Sequence, residues 1–387
     1  MGSLRYLTAG ESHGPALTTI VEGVPAGLVV TPEAIGHELA RRRQGYGRGA
    51  RMRLEADELE ILGGIRHGRT LGSPISVVVR NTEWEKWSEN MSVTPVDDPP
   101  KPLTRPRPGH ADLTGMLKYG HRDARNVLER ASARETAART VAGTIARLLL
   151  REIGVELVSH VVAIGPVTGK SDVIPTPDDV ERIEASAVRC LDTADEAAMI
   201  EAIEAAKSDG DTLGGTFEVI AHDVPIGLGS HVHWDRKIDG RLAQALLSIN
   251  AMKAVAIGDG FTAGETPGSA AHDEILWDEG EGYHRASNRS GGIEGGMTNG
   301  DPVRVRVVMK PLSTLRKALR TVNVETKEEE KAIVERTDTC AVPSACVIGE
   351  AIMAFVLADA ALEKFGGDSV DEFRSSHQAW LETLKKA

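Results

Sequence analysis

The sequence has few aromatic residues and few cysteines, and both shortages narrow the range of proteins it can encode. Aromatic residues make up 4% of the 387 residues and charged residues make up 26%. This is the composition of an ordinary folded protein whose core is filled by Ala, Val, Leu and Ile. The three cysteines, Cys190, Cys340 and Cys346, form no CxxC pair. They fit a reducing cytoplasm and argue against a zinc cluster.

Signals for membranes and export are also scarce. We find no apolar run of the ~20 residues that a membrane-spanning helix needs. The start, MGSLRYLTAGESHG, has no basic region followed by an apolar one, so it does not predict a signal peptide. Tyr6 stands where a myristoylation signal has Ser or Thr. We therefore expect a cytoplasmic protein without a membrane partner.

Basic residues are fewer than acidic residues in the whole chain, but they outnumber them in its first part. The formal net charge is −12. Residues 1–151 nevertheless hold 19 Arg and 3 Lys against 17 Asp and Glu, a balance of +5 that leaves −17 for the remainder. Arginine binds carboxylate and phosphate through a planar fork and never loses its charge in a protein. The first 151 residues are therefore expected to hold anions.

The stretch RRRQGYGRGARMR, residues 41–53, contains six arginines and no acidic residue. RNA binding is one interpretation, because GYGRGAR resembles a short RGG-type segment. Against it, nucleic-acid-binding proteins usually have a basic domain. Binding to a membrane surface would need an apolar face, which 44–50 lacks. The third interpretation is a flexible clamp on a small ligand with several negative charges, which uses the glycines and the arginine forks together.

Periodicity and turn residues predict alternating strands and helices, and hence a mixed α and β class with no clear linker. A helix is expected over 31–43, capped by Thr31 and begun by Pro32. Residues 84–108 read as a long surface excursion, and 171–207 as a peripheral acidic segment. Further helices are predicted over 124–154, 236–258 and 346–367, and strands over 6–10, 16–27, 59–65, 73–81, 155–167, 216–227 and 302–311.

Four segments framed by glycine carry most of the candidate chemistry. Glycine lets backbone N–H groups approach a ligand closely and form anion-binding nests. A single histidine in a turn is more often structural than catalytic, but two such histidines, His13 and His110, favour function. No GxSxG, GxGxxG, GxxxxGK[ST] or HExxH motif is present in the required context, and no metal site is predicted. The segments are AGESHGPA (9–16), RPRPGHADLTG (105–115), NRSGGIEGGMTNGD (288–301) with KPLSTL (310–315), and VERTDTCAVPSA (334–345).

Together these segments resemble the chorismate synthase family from about residue 4 to about residue 367. The resemblance implies an α+β fold, a β-α-β sandwich with a helical layer between two antiparallel sheets, built as one domain over 1–387 with a C-terminal tail over 370–387. It also implies a homotetramer. The matching motifs, in order, are AGESHG, RRRQGYGRGARM, NTEW, RPRPGHAD, GMLKYG, DARNVLERASARETAARTVAG, DGDTLGG, GLGS, IGDGF, NRSGGIEGGMTNGDP, MKP and RTDTCAVP.

The family converts 5-enolpyruvylshikimate 3-phosphate into chorismate and phosphate by a 1,4-trans elimination that needs reduced FMN without net redox change. The hydrogen that is lost is not acidic, so a side-chain base alone is a poor candidate and the cofactor carries the difficult step. The resemblance assigns protonation of the leaving phosphate to His110, protonation of the flavin edge to His13, and return of a proton near the flavin to Asp338. It assigns the substrate to Arg42, Arg48, Arg51, Arg107 and Arg134. Arg41, Arg43 and Arg53 are left to structural roles.

By the same resemblance, FMN is held by residues of the long helix, of the segment after 249 and of the segment KPLST. That segment departs from the expected KPIPT or KPIST, so backbone contacts there are better supported than a contact of the Ser313 side chain. Some members reduce their own flavin with NADPH, and we favour the version supplied by an external flavin reductase. A non-catalytic binder of phosphorylated metabolites stays the alternative. The FMN residues are Arg130, Ala131, Ser132, Asn250, Ala251, Gly295, Lys310, Pro311, Leu312, Ser313, Thr314 and Arg336.

Overall fold

The computed structural model of the chain describes residues 4–49, 58–169, 173–280, 282–335 and 338–386. Two predicted site residues, Arg51 and Arg336, lie outside these ranges. The α-helices of the described part are α1 Pro32–Arg43, α2 Trp84–Trp87, α3 Asp112–Tyr119, α4 Arg125–Ala131, α5 Thr136–Arg151, α6 Val180–Ala185, α7 Thr193–Ser208, α8 Ile238–Leu247, α9 Gly268–Ala271, α10 Val342–Phe365 and α11 Val370–Leu384. The strands are β1 Arg5–Ala9, β2 Ala16–Glu22, β3 Glu58–Gly63, β4 Ile65–Arg66, β5 Arg69–Thr70, β6 Ile75–Arg80, β7 Glu156–Ile164, β8 Val167–Thr168, β9 Gly215–His222, β10 Met252–Ile257, β11 Ile275–Asp278, β12 Gly282–Arg285, β13 Ile293–Glu294, β14 Met297–Thr298, β15 Val303–Met309, β16 Arg320–Val322 and β17 Glu329–Lys331.

Two antiparallel sheets form the larger part of the described β-structure. The first has the strand order β1-β2-β6-β3, and the second has the order β10-β15-β9-β7-β8. In the first sheet Thr19 faces Val77, and in the second Val305 faces Val219. Alternate residues of β6 and β15 are buried, as expected for strands with one face on a core. The mixed class with antiparallel sheets is therefore confirmed.

Two helices lie against these sheets and against each other. Helix α5 contacts β2 and β6, helix α10 contacts β7 and β9, and α5 and α10 contact each other closely. A Cβ atom on Gly143 would lie 2.4 Å from the Cβ of Ala351, so the missing side chain allows this close approach. One apolar cluster joins residues from both sheets and both helices, including Val77, Ile145, Phe217 and Leu357.

The predicted helix over 124–154 is wrong in one respect, because it breaks in the middle. Helix α4 ends at Ala131, Ser132 is extended with φ −64° and ψ 145°, and a 3-10 turn over Ala133–Glu135 leads into α5. The Ser132 side chain accepts a hydrogen bond from the backbone N–H of Arg134, so it caps the new turn. The break places 130–132 at the junction of two helices.

The predicted helix over 236–258 also divides. Helix α8 ends at Leu247, and β10 begins at Met252 and pairs with β15. Between them Ala251 has a φ of +70°, a left-handed conformation that interrupts any helix. In contrast, α1 begins where it was predicted, with Thr31 as N-cap accepting from the N–H of Ala34 and Pro32 as the first helical residue.

The segment predicted to be peripheral and the predicted C-terminal tail both contribute buried residues to the core, the tail through Val370 and Phe373. Within 171–207, Val188, Cys190, Met199 and Ile203 are buried in the central cluster. The C-terminal tail forms α11, which starts with a capping box between Ser369 and Glu372.

The expectation that no apolar run could span a membrane was wrong for one helix. By length and composition α10 could do so, but 89% of its most apolar window is buried inside the structure. It is the central helix of the core described above.

Candidate active site

His13 lies in the tight turn between β1 and β2 and is bound by a buried carboxylate. Its Nδ1 is 2.8 Å from Oε2 and 3.0 Å from Oε1 of Glu129, a residue of α4 that is 3% exposed. The backbone N–H of His13 also donates to Glu129 Oε2 at 3.0 Å, and the N–H of Ser12 donates to the Glu129 carbonyl. The turn is thus fixed to helix α4 by the residue that holds the imidazole.

An aromatic ring covers one face of the His13 imidazole. The Trp87 ring stacks on it with centroids 3.8 Å apart and an interplanar angle of 27°. Arg125 places its guanidinium over the same Trp87 ring and donates to Glu129 Oε1 at 2.7 Å. Burial raises the pKa of Glu129, but the hydrogen bonds and charge of His13, together with the charge of Arg125, outweigh it and hold that pKa below its usual value.

His110 is paired with a second buried carboxylate. Its Nδ1 lies 2.5 Å from Oδ1 of Asp112, which is fully buried at the start of α3. Arg107 donates to the same carboxylate through Nε at 2.8 Å and through its backbone N–H at 3.1 Å. Burial raises the pKa of Asp112, but the hydrogen bonds from His110 and Arg107 dominate and hold it well below its ordinary range.

Arg107 also connects this cluster to the KPLST segment. Its Nη1 donates to Oγ1 of Thr314 at 2.9 Å. A Cβ built on Gly109 would lie 3.6 Å from Cβ of Ser313 and 3.8 Å from Nζ of Lys310. The loop that carries His110 therefore lies directly against residues 310–314, although the two segments are about 200 positions apart in the sequence.

The break between α4 and α5 gathers four more predicted residues. Arg130 donates to the carbonyl oxygens of Gly10 and Thr8, and Ser132 donates to the Ser12 hydroxyl at 3.2 Å. The Nδ2 of Asn250 donates to the Ala131 carbonyl at 2.9 Å. Hence residues 130–132 are bonded both to the turn that carries His13 and to the segment after α8.

The chain of contacts continues from Ala251 to the KPLST segment. The N–H of Lys310 donates to the Ala251 carbonyl at 3.0 Å, and the Thr212 hydroxyl donates to the Leu312 carbonyl at 2.8 Å. Burial lowers the pKa of Lys310, and the neighbouring charge of Lys253 lowers it further. Positive charge is thus concentrated here, which favours an anionic ligand.

Asp338 lies beneath the arginine-rich loop. Its Oδ2 is 3.0 Å from Nη1 of Arg48, and its Oδ1 accepts from the N–H of Gly49 at 2.7 Å. The N–H of Thr339 donates to the Gly47 carbonyl, and the N–H of Leu213 donates to the Thr339 carbonyl. Thr212, the neighbour of Leu213, is in turn bonded to Leu312. Residues 212–213 therefore connect the Asp338 segment to residues 310–314.

The other predicted arginines differ in their surroundings. Arg42 is 2% exposed and donates from Nη1 to the Thr136 hydroxyl at 3.3 Å. Arg134 is half-buried beside Ser132. Arg41, left to a structural role, lies in a buried ion network with Glu350 at 2.8 Å and Glu184 at 2.6 Å.

Gly295 is the described site residue that stands apart from this network. It lies in the turn between β13 and β14 with a φ of +59°, and a Cβ there would meet nothing within 4 Å. The hydrogen bonds of that hairpin run to Leu228 and Ile238, and within the described ranges none joins it to the other predicted residues.

Three residues that line this region were missed or undervalued by sequence reasoning. Glu129 pairs with Arg125 at the i,i+4 spacing of a helix, but its bond to His13 spans 116 positions and has no local signal. Trp87 lies in the segment 84–108, which was predicted to be a surface excursion. Asp112 stands two residues after His110, and that spacing was the one available signal for its role.

A basic cavity opens beside Arg107. It has a volume of about 500 Å³ and is lined by Arg105, Arg316, Lys317 and Lys331 with three apolar residues. Lys317 is paired with Asp209 at 2.9 Å and Arg105 is 3.6 Å from Glu330.

Known proteins resemble this chain over nearly its whole length. The family model described as chorismate synthase matches residues 4–362. The chorismate synthase of Acidothermus cellulolyticus is 58% identical, with 98% of this chain and 99% of the relative covered. That of Salinispora tropica is 57% identical over the same shares of the two chains. A crystal structure of a chorismate synthase superposes with a TM-score of 0.81 at 43% identity and 99% coverage of both chains. The chain belongs to the chorismate synthase family.

Proposed function

We propose that this protein is a carbon–oxygen lyase that converts 5-enolpyruvylshikimate 3-phosphate into chorismate and phosphate by 1,4-trans elimination. The observation that carries the proposal is the network of contacts around two carboxylate-bound histidines, the buried His13 and the half-buried His110, together with Asp338 and the arginines. Such a network provides both proton donors and positive charge, which the loss of a phosphate from a dicarboxylate requires.

The substrate would be held by arginines from four parts of the chain. Its phosphate and two carboxylates carry about four negative charges, and an uncompensated buried ion costs several kcal/mol. Arg42, Arg48, Arg107 and Arg134 are positioned on α1, the following loop, the His110 loop and the turn after α4. Arg51, outside the described residues, completes the set that we assign to substrate.

We assign protonation of the departing phosphate to His110. A carboxylate cannot donate a hydrogen bond and a guanidinium cannot accept one, so Asp112 accepts from both His110 Nδ1 and Arg107. This arrangement orients the imidazole, with Arg107, toward the place where we propose that the phosphate binds. The ring nitrogen not held by Asp112, Nε2, would then deliver the proton.

The residues of the α4–α5 break suit FMN. Asn250 Oδ1 is buried and has no hydrogen-bond partner among the described residues, although its Nδ2 is bonded to Ala131. A flavin ring or ribityl donor would satisfy that oxygen. The chemistry that reduced FMN supplies when bound is a transient electron, returned as the hydrogen is lost. The proposed FMN residues are Arg130, Ala131, Ser132, Asn250, Ala251, Gly295, Lys310, Pro311, Leu312, Ser313 and Thr314, with Arg336 outside the described ranges.

We assign His13 to protonation at the flavin edge and Asp338 to the return of a proton near the flavin. His13 is 7% exposed, which protects a proton it carries from solvent. Asp338 is bonded to Arg48, so its carboxylate responds to whatever anion binds that arginine. RNA binding through 41–53 loses support, because Arg41 is buried with Glu350 and Arg48 is paired with Asp338.

The proposal also covers the arrangement of layers in the fold, the oligomeric state, the cellular compartment and the source of reduced flavin. Contacts of α5 with one sheet and α10 with the other support the β-α-β sandwich in a single domain over 1–387. We further propose a homotetramer in the cytoplasm that receives reduced FMN from an external flavin reductase.

An anaerobic assay tests the proposed reaction. The protein is mixed with photoreduced FMN and enolpyruvylshikimate phosphate, and chorismate absorbance and released phosphate are followed together. We expect both products in equal amounts only when reduced FMN is present. Folded protein that forms neither product would overturn the assignment, and turnover with NADPH and oxidised FMN alone would overturn the need for an external reductase.

A further inference from the structure

The Glu129 carboxylate contacts both the backbone and the imidazole ring of His13. Glu129 uses both carboxylate oxygens on one residue: Oε2 accepts from the His13 backbone N–H at 3.0 Å and lies 2.8 Å from Nδ1, and Oε1 lies 3.0 Å from the same nitrogen. The side chains of His13 and Glu129 are 9% and 2% exposed. Water therefore has little access to either group.

The lowered pKa of Glu129 keeps it ionised near neutral pH, so it can only accept hydrogen bonds. The atom that faces it, Nδ1, must then carry the proton in both the neutral and the protonated imidazole. The neutral ring is consequently held as the Nδ1–H tautomer, with Nε2 as its basic atom. The Trp87 ring, stacked at 3.8 Å, fixes the plane of the imidazole at the same time.

We propose that Glu129 is a positioning residue for the reaction: it holds His13 in the Nδ1–H tautomer, so that Nε2 is the atom that exchanges a proton with the ligand. This inference rests on the role proposed for His13. The other charged groups on the two segments concerned are Glu11, Arg125 and Arg130; Arg125 donates to Glu129 Oε1 and Arg130 donates to the Gly10 carbonyl.

A second buried Glu–His pair provides a matched control. Glu218 is 3.1 Å from Nε2 of His160, and both side chains are buried in the second sheet, outside the site. A Glu→Gln change removes the same charge from the same kind of pair. An effect common to both pairs is structural, and an effect confined to Glu129 concerns the reaction.

The test compares Glu129→Gln, Glu129→Asp, Glu218→Gln and His13→Ala in the full-length protein. Removing the carboxylate that orients a catalytic histidine costs up to ~10⁴-fold in kcat in a well-studied protease triad. We expect Glu129→Gln to lower kcat by about 10²-fold or more, within that bound, while KM for substrate and oxidised FMN binding change little. Glu129→Asp should restore part of kcat, and Glu218→Gln should keep it.

A spectroscopic arm is independent of turnover. In protein labelled with ¹⁵N-histidine, His13→Ala identifies the His13 signals, which should report a protonated Nδ1 in the neutral ring and lose that preference in Glu129→Gln. An Nε2–H tautomer in the parent, or full kcat in Glu129→Gln while His13→Ala is inactive, would overturn the inference. Full activity of His13→Ala would instead overturn the role proposed for His13 itself.

Discussion

Arg48 and Asp338, which lie 290 positions apart in the sequence, form an ion pair with Nη1 and Oδ2 3.0 Å apart. Their side chains are 10% and 18% exposed, so the pair is shielded from solvent screening. Sequence reasoning assigned Arg48 to the substrate and Asp338 to proton handling. The pairing means that an anion binding Arg48 competes directly with the Asp338 carboxylate.

From this competition we expect the two residues to respond differently to substitution. Arg48→Ala removes a charge-assisted bond, typically 1.5–3 kcal/mol, and should raise KM for substrate by about 10- to 100-fold. Asp338→Asn keeps the shape of the side chain but removes the carboxylate that can take up a proton. We therefore expect it mainly to lower kcat. Steady-state kinetics on the single and double variants would check both. If the free-energy effects of the two single substitutions simply add up in the double variant, Arg48 and Asp338 do not interact during the reaction.

His110→Ala should abolish the acid step without affecting the flavin. General acid catalysis is worth about 10²- to 10⁴-fold, so turnover should fall by that factor. Binding of oxidised FMN, measured by quenching of its fluorescence, should be unchanged. His233→Ala is the control, because His233 is exposed and pairs only locally with Asp235. A normal rate in His110→Ala would show that another group protonates the phosphate.

Asn250→Ala tests the flavin site separately from catalysis. The change removes the bond to the Ala131 carbonyl and the buried Oδ1 that we assign to FMN. One lost hydrogen bond of 0.5–1.5 kcal/mol predicts roughly 3- to 10-fold weaker FMN binding. Gln244→Ala, an exposed amide on α8, should leave the dissociation constant as it is. Equal affinities for FMN in the parent and Asn250→Ala would remove Asn250 from the site.

The features that the sequence could point to are those with a local signal. His13 and His110 stand in glycine-framed turns, and Thr31 and Pro32 give the usual start of a helix. The break at Ser132 had no such signal, because Arg-Ala-Ser-Ala is compatible with a helix. It arises from tertiary bonds of 130–132 to Gly10, Ser12 and Asn250.

The same limit applies to the partners of the site. Glu129 meets His13 because the turn after β1 lies against α4, which periodicity alone does not specify. Ala251 adopts a left-handed conformation because β10 must turn back to pair with β15, although alanine gives no hint of a turn. Local chemistry thus predicted the candidates, and only tertiary packing could supply their neighbours.

Gly143→Ala should destabilise the fold through the contact between α5 and α10. The added Cβ would lie 2.4 Å from both the Cβ and the carbonyl oxygen of Ala351, so the helices must move apart. Overpacking of this kind costs about 1–3 kcal/mol and should lower the thermal midpoint. Gly240→Ala on α8 meets nothing within 4 Å and should raise stability slightly. Similar midpoints for the two variants would contradict this packing.

The buried Glu218 predicts how stability depends on pH. Burial raises its pKa, but hydrogen bonding to His160 and the charges of Arg304 and Arg306 outweigh burial and lower it to about 2. A carboxyl whose pKa is depressed on folding stabilises the native state above its unfolded value, and this contribution is lost as the pH falls through the folded value. For Glu218 the loss falls between an ordinary glutamate pKa of about 4.3 and the folded value of about 2.

Glu218→Gln isolates this contribution. At pH 7 the variant should be less stable by roughly 2–3 kcal/mol, because Arg304 and Arg306 lose their shared carboxylate partner. The difference from the parent in urea unfolding should shrink between pH 5 and pH 2.5, since protonation removes the same charge from the parent. Glu328→Gln on the exposed turn before β17 provides the control and should follow the parent at every pH. A gap between Glu218→Gln and the parent that stays constant with pH would mean that the Glu218 charge does not stabilise the second sheet.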